Sequence, residues 1–280
     1  MTKKIIYNVL VLFFMLGFSF SSIAQKGFST GSIAVWNSRD KGDLKKTSKS
    51  FTGGKKIVFE IEKAMLQIEA HSGSDVIFET YDYEEPPERA KGLKPLYNTA
   101  EDNTGIGLQV DIASGVMTVN KASTEDMDFV IKVPNSVAVQ IKETGWGGDE
   151  FLLKDIKGEI EIEAKGSDIV IEGATGPVVA NTTSGDITIN FTSVNQSKPS
   201  SITNTSGFID VTLPSSTKAN LELKSVTGEI YTDMDIKFEK SEEQGNMRRV
   251  GGRNLQGTIN GGGVEIALKT ISDDIYLRKK

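Results

Sequence analysis

Cysteine is absent from the 280 residues, and histidine occurs once. The first absence removes disulfide staples, thiolate nucleophiles and cysteine-ligated metals. The second leaves His71, at the end of an apolar run, as the sole imidazole, and we read it as structural. Basic clusters are missing as well. The 32 Lys and Arg stand against 38 Asp and Glu, a net charge of -6, so nothing in the chain offers to neutralise a phosphate backbone and a nucleic-acid partner is excluded. No window repeats apolar residues at i, i+3, i+4 and i+7, so helices are not expected. Past residue 24 no apolar run is long enough to span a bilayer, which leaves no transmembrane segment in the mature chain.

What is present begins with a processing signal. Lys3 and Lys4 precede an apolar stretch from Ile5 to Phe20, and small residues at Ser22 and Ala24 suit a signal peptidase. Residues 1–24 are therefore expected to be removed before Gln25, and the product is expected to be exported to the periplasm, the outer surface or the medium. Residues 25–55 are polar and weakly patterned; they read as a leader or an irregular N-terminal cap, with Trp36 against the apolar end of the stack.

The main signal is a repeat. Short alternating strands follow turn glycines at Gly158, Gly166, Gly185, Gly207, Gly228 and Gly263. Period-two alternation puts Ile160, Ile162, Ile169, Ile171, Ile187, Ile189, Ile209, Val211, Ile230, Ile266, Leu268, Ile275 and Leu277 on a covered face. Glu159, Glu161, Thr188 and Asp210 point the other way. Gly185, Gly207 and Gly228 lie 22 and 21 residues apart, with a second strand between each pair. A two-strand unit of about 20 residues cannot cover its own apolar face, but stacked units share one core. Glycine supplies positive φ at such turns, and a neighbouring Ser, Thr or Asn (Asn181, Asn204, Asn260) is suited to hold the bend.

Residues 56–151 carry the same β signature with less regular turns. Two polar insertions interrupt the pattern, at 81–103 with Pro86, Pro87 and Pro95, and at 237–253. The expected fold is all-β: an elongated single-chain β-solenoid over residues 56–280. An antiparallel β-sandwich is the alternative, because alternation alone does not say which strands pair.

The recurrence of Ser184-Gly185-Asp186-Ile187, Ser206-Gly207-Phe208-Ile209 and Thr227-Gly228-Glu229-Ile230 resembles the DUF4097 group of adhesin-like bacterial proteins. Ser72-Gly73-Ser74-Asp75-Val76 is a weaker copy, and Phe208 stands where an acidic residue is usual. The resemblance implies an elongated β-solenoid, right-handed or related, and surface attachment. It brings no catalytic residues.

The residues offer no reaction of their own. Gly27-Phe28-Ser29-Thr30-Gly31 fits a nucleophile-elbow pattern, but no strand can precede it in the mature chain. Glu159, Glu161 and Glu163 stand about 7 Å apart on one face, which a wet strand face also produces. Asp149-Glu150, read as an acidic pair in a glycine-rich turn, and Asp273-Asp274 match no calcium motif, so no metal and no cofactor are expected. Trp146, beside Gly147 and Gly148, is the one candidate ligand contact. The expected function is a non-catalytic secreted or cell-envelope protein in adhesion or scaffolding, with an envelope, glycan or protein partner. The alternative is a polysaccharide-active enzyme, with Arg248, Arg249 and Arg253 near a groove.

Overall fold

The computed structural model describes residues 43–93, 96, 100–238 and 253–280. The signal at 1–24, Trp36, Gly27–Gly31, and Arg248 and Arg249 lie outside them. In chain order the first strands are β1 (Lys45–Ser50), β2 (Lys56–Ile61), β3 (Leu66–His71), β4 (Asp75–Thr80), β5 (Leu108–Ala113), β6 (Val116–Lys121) and β7 (Phe129–Pro134). Next come β8 (Ala138–Glu143), β9 (Glu150–Lys154), β10 (Ile160–Glu163), β11 (Asp168–Ala174), β12 (Val178–Ser184), β13 (Ile187–Phe191) and β14 (Ser200–Ser206). The last are β15 (Ile209–Leu213), β16 (Ala219–Ser225), β17 (Ile230–Thr232), β18 (Lys237–Phe238), β19 (Arg253–Ile259), β20 (Val264–Thr270) and β21 (Ile275–Lys279).

They form two sheets, sheet A of ten strands and sheet B of eleven. Each coil of the chain lays one strand in sheet B and the next in sheet A. The coils stack in parallel in the order β6–β7, β2–β3, β8–β9, β10–β11, β12–β13, β14–β15, β20–β21, β16–β17. This is the all-β solenoid architecture, and the parallel rungs set aside the antiparallel sandwich. Two coils depart from chain order: β2–β3 is inserted second from one end, and β20–β21 second from the other. Antiparallel strands finish each end. β5 reverses into β6 through Ser114 and Gly115, with φ 52 and 77, while β19 reverses beside β16.

Alternation places every second side chain between the sheets, and stacking aligns these residues in rows. One row in sheet A runs Phe129, Leu66, Phe151, Ile169, Ile187, Ile209, Ile275 and Ile230. One in sheet B runs Val119, Phe59, Ile141, Ile162, Ala180, Ile202, Leu268 and Leu223. All are buried except Ile230, on the last rung of sheet A. The remaining residues assigned to the covered face, Ile160, Ile171, Ile189, Val211, Ile266 and Leu277, are buried too. Each such side chain contributes roughly 1.5–3 kcal/mol. That is how a chain without disulfides holds together.

Three strands depart from the sequence reading. β9 occupies residues assigned in part to a glycine-rich turn. Its Phe151-Leu152-Leu153 run is buried on both faces, so it lacks the period-two signature. β1 is a regular strand inside the segment read as an irregular leader, paired antiparallel with β4. The insertion read at 237–253 begins with β18 and ends on the first residue of β19. In the insertion at 81–103, the described residues hold one short 3₁₀ turn, Glu88–Ala90.

The end of the stack that begins with β1 and β5 is insulated. β1 has three lysines in six residues, which disfavours further pairing. At the β5 edge, the Asn103 amide bonds both Val110 N and Val110 O, at 2.9 and 3.0 Å, standing in for a neighbouring strand. Asp102 holds the adjoining turn. Its carboxylate accepts from Thr104 N, Thr104 Oγ1, Gly105 N and Gly107 N, each at 2.9 Å. Burial alone would raise this carboxyl, but the donors of Gly107, Thr104 and Gly105 outweigh it and hold it below its ordinary value. A carboxyl depressed on folding stabilises above its unfolded value and loses that contribution as pH falls through the folded one. Acid titration of the wild type from pH 5 downward should therefore destabilise it more than it destabilises Asp102→Asn. Thermal midpoints across that range give the comparison, and parallel curves would show that Asp102 carries no proton linkage.

Candidate functional site

The corner between sheet B and sheet A is built from polar residues in register. At one register position near the end of the sheet-B rungs stand Lys121, Ile61, Glu143, Ala164, Thr182, Asn204, Thr270 and Ser225. Most of them bond the turn of a neighbouring coil. Lys121 Nζ donates to Glu62 O and Lys63 O; Asn204 Nδ2 donates to Gly185 O; Thr270 Oγ1 donates to Gly207 O; Ser225 Oγ donates to Asp273 O. Burial pushes the Lys121 amine down from its ordinary value. Glu143, 4% exposed, accepts from the N–H groups of Lys165, Gly166 and Ser167 and from the Ser167 hydroxyl.

Acidic residues at the start of three sheet-A rungs have a structural use. Asp168 Oδ1 accepts Asp186 N at 2.8 Å, Asp186 Oδ1 accepts Phe208 N at 3.1 Å, and Asp274 Oδ1 accepts Glu229 N at 2.8 Å. Each carboxylate thus pins the start of the next rung. Glu150 stands in the same row; burial, then the neighbouring Asp168, Asp149 and Glu172, push its carboxyl up. Among the described residues no three His, Asp or Glu side chains gather as metal ligands would.

The turn glycines divide into two kinds. Gly185 and Gly207 have φ +152 and +144, and a Cβ on either would enter a carbonyl of the preceding coil. Gly158, Gly228 and Gly263 face the backbones of Val137, Asp273 and Lys218 in the same way. A Cβ on Gly166 would meet the Trp146 ring at 3.4 Å and Ser184 O at 4.0 Å, both ordinary contacts. Of the asparagines, Asn260 alone takes positive φ, and Asn204 serves as the corner donor already described. His71 closes the β3–β4 turn, with Nε2 2.7 Å from Asp75 O and Nδ1 accepting Gly73 N. Glu161 and Glu159 on the outer face of sheet B pair with Lys56 and Lys198.

Among the described residues, the outer face of sheet A carries one aromatic assembly. Phe208, Tyr276 and Tyr231 come from three successive rungs, β14–β15, β20–β21 and β16–β17. Tyr231 stacks on Tyr276 with centroids 5.4 Å apart and planes 11° from parallel, and Phe208 meets Tyr276 edge-on at 6.2 Å. The Arg278 guanidinium lies 5.4 Å from the Tyr276 centroid. It grips Asp210 as a fork, Nε to Oδ1 at 2.8 Å and Nη2 to Oδ2 at 2.9 Å, and this bond raises the guanidinium above its ordinary value. Tyr276 Oη donates to Asp274 Oδ2 at 3.0 Å; burial first, and then Asp274, push the phenol up. Tyr231 is 51% exposed.

Trp146, the sequence candidate, is 61% exposed on its glycine-rich turn. It sits five rungs from Tyr231, about 24 Å along the stack at ~4.8 Å per strand, so the structure does not bring the two together. A signal for the tyrosines existed. Glu229-Ile230-Tyr231 and Asp274-Ile275-Tyr276 share one phase, but only the inserted coil makes them neighbours.

Among the described residues no helix is long and apolar enough to cross a membrane. The family model Toastrack DUF4097 matches residues 107–278. No curated protein matches the chain. Among solved structures, a candidate cell adhesion protein from Clostridium sporogenes is 12% identical, with 85% of this chain and 100% of that chain covered and a TM-score of 0.46. A candidate adhesin from Bacteroides fragilis is 11% identical, with coverage of 85% and 97% and a TM-score of 0.38. A candidate adhesin from Parabacteroides merdae is 9% identical, with coverage of 85% and 97% and a TM-score of 0.31.

Proposed function

This chain belongs to the Toastrack DUF4097 family, and from that premise we propose a non-catalytic secreted or cell-envelope protein that binds or scaffolds in adhesion. The observation that carries the reading is the aromatic assembly of Phe208, Tyr231 and Tyr276, displayed outward on rungs whose inward rows are already filled. A frame held by aligned rows and corner hydrogen bonds presents such a surface without rearranging, which limits the ordering cost of binding. In this reading residues 1–24 direct export and are removed, and residues 25–55 lead into the solenoid. The location is the periplasm, the outer surface or the medium.

The purified mature chain should bind at least one of envelope fractions, glycans or matrix proteins in a saturable way. A surface-plasmon series over all three decides the matter: linear, non-saturating responses throughout would remove the adhesion reading. Product release from a polysaccharide panel would replace it with catalysis.

A further inference from the structure

The loop between β8 and β9, residues 144–149, is held by the coils on both sides of it. Thr144 N donates to Ile61 O at 2.9 Å, and Asp149 O accepts Asp168 N at 3.1 Å. Three glycines stand between these ends. A Cβ on Gly145 would run into Glu62, and one on Gly148 would run into Ser167 Oγ and the Glu143 carboxylate. Gly147 takes φ +93. This close packing fixes the backbone beneath Trp146. The indole reaches from its own coil onto the next, where its Cε3 would lie 3.4 Å from a Cβ on Gly166. The side chain is nevertheless 61% exposed.

Gly166 also begins a line of hydroxyls that runs along the corner. Ser184 N donates to Lys165 O at 2.9 Å, which sets Ser184 on the coil after Gly166, and Ser184 is in register with Ser206 on the coil after that. Thr183 and Thr205 precede these two serines, and all four are exposed. Successive coils lie ~4.8 Å apart, so Ser206 stands about 10 Å from Gly166 along the stack. That spacing is close to the repeat of an extended β-linked sugar chain. Each hydroxyl both donates and accepts, as sugar hydroxyls do. The line itself is neutral. The Lys165 ammonium beside it is held by Thr144 O at 2.5 Å, and Glu62 and Lys63 on the coil before are of opposite sign.

We propose that this corner binds a neutral, β-linked glycan lying along the stack, with one sugar ring on Trp146 and the following ones over Thr183, Ser184, Thr205 and Ser206. The C–H face of a pyranose covers the indole, and hydroxyls bond hydroxyls coil by coil. A backbone already fixed by its neighbours adds little ordering cost. The proposal rests on the reading of the chain as a binding protein and names the chemistry of one ligand.

The probes are cellohexaose and chitohexaose, both neutral and β-1,4-linked, titrated into the mature chain carrying Trp36→Phe, which leaves Trp146 as its single tryptophan. The fluorescence should change and saturate with at least one of them. The matching disaccharide, which spans the indole and one further coil, should bind about tenfold more weakly. By calorimetry Trp146→Ala should lose at least about tenfold, while Trp146→Phe, which keeps a ring face, should lose less. Ser184→Ala with Ser206→Ala should lose about fivefold at an unchanged thermal midpoint. Failure of both hexasaccharides to saturate overturns the proposal. So does undiminished affinity of Trp146→Ala, or tighter binding of an anionic oligogalacturonate of equal length. If Trp146→Ala still adheres to the surface that the wild type binds, this site falls while the adhesion reading stands.

Discussion

Gly185→Ala should cost the protein about 4 kcal/mol or more and lower its thermal midpoint by roughly 10 °C. Two effects add. The backbone at Gly185 has φ +152, which side-chain-bearing residues rarely adopt, and a Cβ there would lie 2.5 Å from the Ser167 carbonyl oxygen. That oxygen belongs to the backbone of the preceding rung and cannot turn aside. Relief requires the rungs to part, which would strain the pairing of Ile169 with Ile187 and of Ile187 with Ile209. Gly166→Ala is the internal control. Its Cβ would meet nothing nearer than the Trp146 ring at 3.4 Å, an ordinary contact, so its midpoint should stay within about 2 °C of wild type. Calorimetry on the pair gives the answer. Equal, small losses at both positions would mean that the rungs are not held as closely as described.

The second large effect is expected at Glu143. It is 4% exposed and serves four donors, the N–H groups of Lys165, Gly166 and Ser167 and the Ser167 hydroxyl. Glu143→Ala leaves these donors without their acceptor in a corner that water barely reaches, which costs about 3 kcal/mol. Glu143→Gln should cost only about 1 kcal/mol, because one oxygen still accepts while the new NH₂ donates to Ser167 Oγ. Urea titration separates the two variants. Hydrogen exchange localises the cause: the amides of residues 165–167 should open in the alanine variant and stay protected in the glutamine variant. If the two variants are equally stable, the turn is held by something other than this carboxylate.

Both residues show how far the sequence could be read. Gly185 stood out because glycine recurs at each turn, and Ile187 and Ile189 because alternation is visible in any strand with one wet face. Glu143 did not stand out. A lone glutamate before a glycine-rich stretch looks like a solvated turn, and its four donors come from the next coil, more than 20 residues on. Phe151-Leu152-Leu153 escaped for a related reason: burial on both faces removes the alternation that identifies a strand. Trp146 was visible as an exposed aromatic, but the aromatic assembly was not, since Phe208, Tyr231 and Tyr276 are separated along the chain by other strands.

By itself the sequence determined the class of the protein: all-β, without disulfides, built of repeated two-strand coils with glycine at the corners. Those features follow from local rules of side-chain alternation and backbone freedom, which act within a few residues. Only the tertiary structure decided the order of the coils. Parallel rungs of the same width and the same apolar pattern are interchangeable as far as local rules go. The insertion of β20–β21 between β14–β15 and β16–β17 is therefore seen only in the fold. That insertion places Tyr276 against Tyr231.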